Sequence, residues 1–484
     1  MPFRVREHIA NRHLEQARVA SHDARLRFDG DVLARERLDQ QIEAQRLGVH
    51  LGQIRIEAGV GEHLLQHVRR LVCQLGDGPL DAARFDGGHE PGHGRSQLVD
   101  RMRFRAYPSR PRLAQRSHPH HERLRAADGT PNGVLVDAAG EWPWDHALAP
   151  SPELDAINHR ALLDGMAHDN EYGITSASDA RVYWGRGYLD AYRRAEERGE
   201  MTVRMVLGLW AYPSKNDDTQ IATLARMRRD DGGMVRQTQI KIYADGLTQN
   251  TTAALLEPYR SKTLGAARGL DYFDAPRLAR CVRELQAAGF DMHIHTIGDR
   301  GVRQALDAIE AARALPGGAG ARHRLTHVEL VHPGDVPRFR TLGVFADVQL
   351  AEENDPEHLH ELEPFIGAER MNERAWRVRD LYASGATVTL SSDYDVGDLN
   401  PFAGMQRALT RGAQSLPNID AALRAYTVNA ARLMRSETRT GSLEVGKRAD
   451  MIVVDRDIYA IPVERIAGTR VLRTMVDGRE VYVR

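Results

Sequence analysis

Lys241 in QIKIYADG, His295 in DMHIHTIGD, His327 in RLTHVELV and Asp393 in TVTLSSDYDV each stand near the carboxyl end of a short apolar run. An amine, two imidazoles and a carboxylate are a metal-site composition, because neutral imidazole and anionic oxygen suit zinc and similar divalent cations. Lys241 is the most telling of the four. Lysine and arginine together number 66, yet the only lysines are Lys215, Lys241, Lys262 and Lys447. A guanidinium cannot be deprotonated, whereas a desolvated lysine amine can lose its proton and react with carbon dioxide or a carbonyl. Carboxylated, Lys241 would be an anionic ligand with two oxygens, able to bridge two metals; its bland alternative is an ion pair with Asp245 or a neighbouring carboxylate. A single histidine beside an apolar strand is most often a satisfied core residue, so His295 and His327 gain weight only together. Asp393 fits either a metal ligand that also takes a proton from water, or a turn or helix cap.

Positioning these groups requires strands, and from about residue 125 short β-branched runs alternate with helical stretches, the pattern of βα units and a parallel sheet. Seven runs qualify: 172–178, 202–209, 238–246, 290–296, 323–331, 343–350 and 386–392. Two amphipathic helices lie between them, 275–289 with Leu278, Val282 and Leu285 on one face, and 301–315 with Val302, Leu306 and Ile309. Gly289 closes the first, and Pro316-Gly317-Gly318 the second. In a (β/α)₈ barrel the carboxyl ends of successive strands converge on one pocket, which would gather the four residues. Near the carboxyl end, Asp477-Gly478 marks a two-residue hairpin and ADMIVVD reads as a buried strand. The expected organisation is an atypical segment 1–124, a barrel over 125–436 and a small β-rich portion over 437–484.

The amino-terminal segment contains no lysine and about half of the 21 histidines. A hairpin near residue 51 and a helix over 62–75 are its only patterned pieces, and no basic block with interleaved aromatics suggests a nucleic-acid arm. The net charge of −1 supplies no global attraction to nucleic acid or an acidic membrane, and the 42% apolar content is enough for a sizeable core. Cys73 and Cys281 cannot build a disulfide framework, and neither a signal peptide nor a membrane-length apolar run is evident. A cytoplasmic protein with a small-molecule substrate is expected; self-association into a homo-oligomer is left open.

The ordered motifs KIYADG, HIHTIGD, HVELVHP and SSDYDV, followed by NPFAGMQRALTR, AYTVNAARLM and GSLEVGKRADMIVVDRD, resemble the amidohydrolase superfamily, in particular the subgroup of N-substituted formamide deformylase. DGTPNGVLVDAA (128–139) and YGITSASDA are similar to that subgroup too, so the resemblance runs from about 125 to 484. It implies a metal-dependent (β/α)₈ barrel with a small composite β-sandwich, hydrolysing carbon–nitrogen bonds other than peptide bonds, such as amides or formamides, with one or two divalent ions, zinc foremost. It further implies that a carboxylated Lys241 bridges the metals, that His295 and His327 hold one of them, and that Asp393 binds the other and serves as the catalytic base toward water and then as acid toward the leaving amine.

The family's first barrel strand, with its H-x-H pair, has no counterpart, which agrees with finding seven strand runs where eight are needed. His293-Ile294-His295 does not supply it, since a lysine should then follow on a later strand and only Lys447 does; His293 is expected deeper or hydrogen-bonded. His118-Pro119-His120-His121 has the spacing, but Pro119 interrupts a strand and no apolar run precedes it. Segment 1–124 is read as replacing the usual start through a wrong start codon, a frameshift or a truncation. Two other functions compete: a degenerate, catalytically inactive relative, and a barrel lyase with a Schiff base on Lys241. The lyase leaves His295, His327 and Asp393 unexplained.

Overall fold

The computed structural model describes residues 121–125, 131–137, 141–261, 267–350, 360–394 and 396–484. The readings at residue 51, at 62–75 and at His118 to His120 lie outside them. Two compact units are distinguished, one ending at Leu148 and the other running from Ala149 to Arg484. The first contains an antiparallel pair, β1 (His121–Arg125) and β2 (Pro131–Asp137), and helix α1 (Glu141–Ala147).

The unit from Ala149 begins with α2 (Pro152–Glu171) and then alternates strand and helix: β3 (Ser176–Val182), α3 (Tyr188–Glu197), β4 (Arg204–Trp210), α4 (Asp217–Met227), β5 (Val235–Tyr243), α5 (Ala275–Ala287), β6 (Asp291–Thr296), α6 (Asp299–Arg313), β7 (Arg324–His327), α7 (Val336–Thr341), β8 (Phe345–Gln349), α8 (Val378–Ala383) and β9 (Thr387–Ser391). The strands form one parallel sheet in sequence order, β3 to β9. These are the seven strands expected, and among the described residues no eighth strand pairs β3 with β9. The described residues thus form a (β/α)₈-type barrel sheet of seven parallel strands.

The sheet is strongly curled. Arg324 on β7 donates from its guanidinium to the Ser178 hydroxyl on β3 at 2.6 Å, although four strand spacings would separate them by roughly 19 Å in a flat sheet. The alternation of side chains explains what fills the curl. Ile240, Ile242, Met292, Ile294, Leu325, Ala346, Val348, Val388 and Leu390 are buried against the helices, while the alternate positions on the same strands carry polar groups that turn inward. The helices close the outer layer as their periodicity requires. Asp274 caps α5 by accepting from the Arg277 amide, and Leu278, Val282 and Leu285 are fully buried. On α6, Val302, Leu306 and Ile309 face the sheet with 0% exposure. Leu306→Ala should therefore cost about 2–5 kcal/mol, read as a lower urea midpoint at unchanged slope.

The carboxyl-terminal sheet is antiparallel, β10 (Met451–Val454), β11 (Val471–Val476) and β12 (Arg479–Val483). Asp477 and Gly478 both have positive φ, 53° and 73°, the conformation of the expected hairpin turn. The sheet docks on the barrel through Thr474, whose hydroxyl donates to the Asn170 carbonyl at 2.7 Å, and through the Arg204–Asp450 pair at 2.7 Å. Expecting ADMIVVD to be a buried strand was incorrect. Ile452 and Val453 are 39% and 43% exposed, and among the described residues β10 pairs with β11 alone.

Candidate active site

Three of the four candidates sit at the carboxyl ends of adjacent strands, and the register explains their convergence. Lys241 pairs with His293, Tyr243 with His295, and Thr296 with His327. Lys241 Nζ lies 5.0 Å from the Tyr243 ring centre; that ring stacks on His295 at 4.4 Å, and His295 meets His327 edge to face at 4.4 Å. Asp393 follows β9 and acts electrostatically on both Lys241 and His327, favouring their charged forms. Two of the four occupy strained backbone. His327 has φ 72°, the β-branched Val328 beside it φ 51°, and Asp393 φ 49°. Such conformations cost on the order of 1–3 kcal/mol each and persist only where surrounding contacts enforce them. The Val328 amide is held by the Thr296 carbonyl at 3.0 Å, and the Asp393 carbonyl accepts from Val396 at 2.7 Å.

Burial pushes the Lys241 amine down to about 7, with nearby Arg324 and Arg181 pressing the same way against the pull of Asp393. Lys241 is only 2% exposed, and among the described residues no carboxylate lies within 4.0 Å of its amine. The alternative of a Lys241–Asp245 pair is not what the structure shows. Asp245 instead accepts from the amides of Ala254, Ile297 and Gly298 at 2.7–3.0 Å, organising the β5 and β6 loops. Burial pushes that carboxyl up to about 8, against the pull of the three amides.

His295 carries the clearest ligand signature. Its Nε2 meets the Gly246 carbonyl at 3.2 Å, while Nδ1 is buried with no hydrogen-bond partner. A proton on Nε2, donated to that carbonyl, leaves the Nδ1 lone pair free, which is the tautomer a metal ligand requires. His327 is also held neutral, its pKa pushed by burial down to about 4. Among the described residues, however, no group of three or more histidine, cysteine, aspartate or glutamate side chains is arranged to hold an ion. The chemistry of the donors, two imidazoles beside a buried amine, suits a divalent ion, and among the described residues they supply no second full set.

Beneath these residues lies a network that sequence reasoning missed. Arg324, 5% exposed, donates to Ser178, to Gln239 at 3.0 Å and to His293 Nδ1 at 2.5 Å, and pairs with Asp347 at 3.5 Å. Asp347 also accepts from Thr326 at 3.1 Å, Thr389 at 2.9 Å and Ser391 at 3.2 Å. His293 is thus deep and hydrogen-bonded, as expected, and not directed to the mouth. The signal was present as polar residues two apart on otherwise apolar strands: Gln239 and Lys241, His293 and His295, Arg324 and Thr326, Asp347 and Gln349, Thr389 and Ser391. At the mouth, Arg181 lies over the rings of Tyr183, Trp210 and Tyr243 at 5.0, 5.6 and 5.2 Å. Trp210 and Tyr243 therefore stand beside the candidate residues. Trp376 is buried, with its amide donating to the Glu329 carbonyl at 2.7 Å.

The buried histidines set an acid limit on the fold. His323, fully buried, accepts from the Met292 amide at 3.0 Å and meets Gln286 at 2.7 Å, and burial pushes its pKa down to about 3. His293 and His295 are held well below the ordinary value for the same reason. When the folded pKa is depressed, protons bind the unfolded chain first, so this stability is complete above about pH 6.5 and lost as pH falls toward 4 and below. The melting temperature should drop across that window. His323→Gln, remote from the mouth, should flatten the drop.

A curled parallel sheet whose strands alternate with helices defines the class of (β/α)-barrel folds. The profile of the amidohydrolase family (Amidohydro_3) matches residues 105–482, and the chain belongs to that family. N-substituted formamide deformylase from Arthrobacter pascens is 27% identical over 394 residues, covering 74% of this chain and 67% of that protein. Protein LONG AFTER FAR-RED 3 from Arabidopsis thaliana is 25% identical over 387 residues, covering 74% of this chain but 63% of its own length. The chain thus spans about two thirds of these curated relatives. An uncharacterized metal-dependent hydrolase from Pyrococcus horikoshii shares the fold at a TM-score of 0.57 and 21% identity, over 70% of this chain and 68% of that one. A counterpart from Pyrococcus furiosus does so at 0.55 and 22%, over 68% and 66%.

Proposed function

We propose that this chain is a metal-dependent hydrolase of carbon–nitrogen bonds other than peptide bonds, acting on small amides or formamides with one divalent ion, zinc foremost. The observation that carries the reading is the His295–His327 pair, 4.4 Å apart, with His295 Nδ1 buried and unpartnered beside an amine that burial brings near neutrality. Family membership and the relation to a formamide deformylase support the reaction class.

His295, His327 and a carboxylated Lys241 would hold the ion. A divalent ion so held polarises a carbonyl and lowers the pKa of water. Asp393 accepts the proton of the attacking water and returns it to the leaving nitrogen, which departs as an amine. The Gly246 carbonyl and the Tyr243 ring fix the plane of His295, and the Trp210 and Tyr243 rings exclude water from the side of the site nearest Arg181. On this reading residues 125–436 carry the barrel and 437–484 the β-rich portion. Among the described residues no helix is long and apolar enough to cross a membrane.

The competing reading, an inactive relative, draws on the absence of a three-ligand cluster among the described residues. One assay separates them: amine release from a panel of N-substituted formamides and simple amides, before and after chelation. The proposal expects turnover that chelation abolishes and zinc restores. Turnover indifferent to chelation, or none with zinc at saturation, would count against it.

A further inference from the structure

The end of the barrel opposite the candidate site carries positive charge that the proposed chemistry does not use. A partly open cleft lies at the amino-terminal ends of β3, β4 and β5, lined by Ser176, Arg204 and Arg236 from the sheet and by Arg439, Thr440 and Arg448 from the chain that leads to β10. Two of its four guanidiniums are neutralised. Arg204 pairs with Asp450 and Asp477, both at 2.7 Å, and Arg448 shares Asp477 at 2.8 Å.

Arg236 is different. It is 6% exposed, its guanidinium donates to the Met434 carbonyl at 2.8 Å, and among the described residues no carboxylate lies within 4.0 Å of it. The acid that acts on it through space, Asp230, lies 3.6 Å from Arg228. Arg439 donates to the Gly232 carbonyl at 3.2 Å and is likewise without a carboxylate among the described residues. Burial first, then the repulsion of Arg439, holds the Arg236 guanidinium below its ordinary value.

A guanidinium taken out of water without a counter-ion is expensive, and a chain that keeps two such groups on one cleft has room for the anion that would offset the cost. Guanidinium forks match the oxygens of phosphate, and Ser176 and Thr440 line the same cleft. We propose that this cleft binds a phosphate-class oxyanion, either inorganic phosphate or the phosphoryl group of a small ligand. The cavity itself has a volume of about 10 Å³, the room of one water, so the anion would bind at its opening, within reach of Arg236 and Arg439. Because Arg236 belongs to β5 and Arg439 to the chain after residue 434, a bound anion ties that segment to the barrel.

Thermal unfolding of the full chain, titrated with inorganic phosphate and separately with methyl phosphate at ionic strength held constant by sodium chloride, tests the site. The melting temperature should rise saturably with at least one probe, and the probe that acts identifies the free anion or the monoester as the ligand form. Arg236→Gln and Arg439→Gln should each weaken the apparent affinity by at least about tenfold, while His327→Ala, at the other end of the barrel, should leave it unchanged. Arg439 is only half-buried, so its variant tests the site even if Arg236→Gln fails to fold. No rise beyond that of chloride, or a rise undiminished in Arg439→Gln, would overturn the proposal.

Discussion

Lys241→Ala is expected to weaken zinc binding by more than about 100-fold, since even the outer partners of ligating residues cost 10–100-fold when removed, and to take hydrolysis with it. The reason is chemical and not steric. Lys241 is buried, its amine is brought down to about 7, and it has no carboxylate within ion-pair distance among the described residues. At and above neutral pH a growing fraction is therefore neutral and open to carboxylation. Lys241→Arg should fare no better, although it keeps the charge and nearly the length, because a guanidinium stays protonated. Calorimetric zinc titration of the two variants, paired with amine-release rates, reads the outcome. An arginine variant that binds zinc like the parent chain would refute the role.

The largest effect on stability is expected from Asp347→Ala. From β8 this carboxylate is the common acceptor for Arg324 and Thr326 on β7 and for Thr389 and Ser391 on β9. Removing it leaves the Arg324 guanidinium, whose Nε is already without a partner, as an uncompensated charge in the barrel interior. Breaking a buried pair from one side costs about 3–5 kcal/mol. Arg324→Met in the Asp347→Ala background should recover much of that loss, since a buried charge is then removed along with its counter-ion. Urea unfolding of the two single variants and the double variant provides the cycle; additive losses would refute the coupling.

Much of the barrel was legible because each strand is short, largely apolar on its outward face and bounded by turn residues, so all seven runs were found within a few residues. The convergence of Lys241, His295 and His327 followed from strand polarity alone. Arg324 and Arg181 were hidden for the opposite reason: in a chain this rich in arginine, a buried guanidinium looks like any surface one until its partners across the barrel are seen. The strain at His327 and Asp393 could not be read either, since neither residue type announces a positive φ. ADMIVVD misled because its apolar run states what the side chains are, while the exposure of Ile452 and Val453 depends on which strands pair with it.

The most direct test of the central claim is the amount of metal bound by the purified chain after saturation with zinc and removal of excess, measured by elemental mass spectrometry. Close to one ion per chain is expected, and none in the His295→Ala/His327→Ala double variant. A chain that retains no zinc, or a double variant that retains as much as the parent, would contradict it.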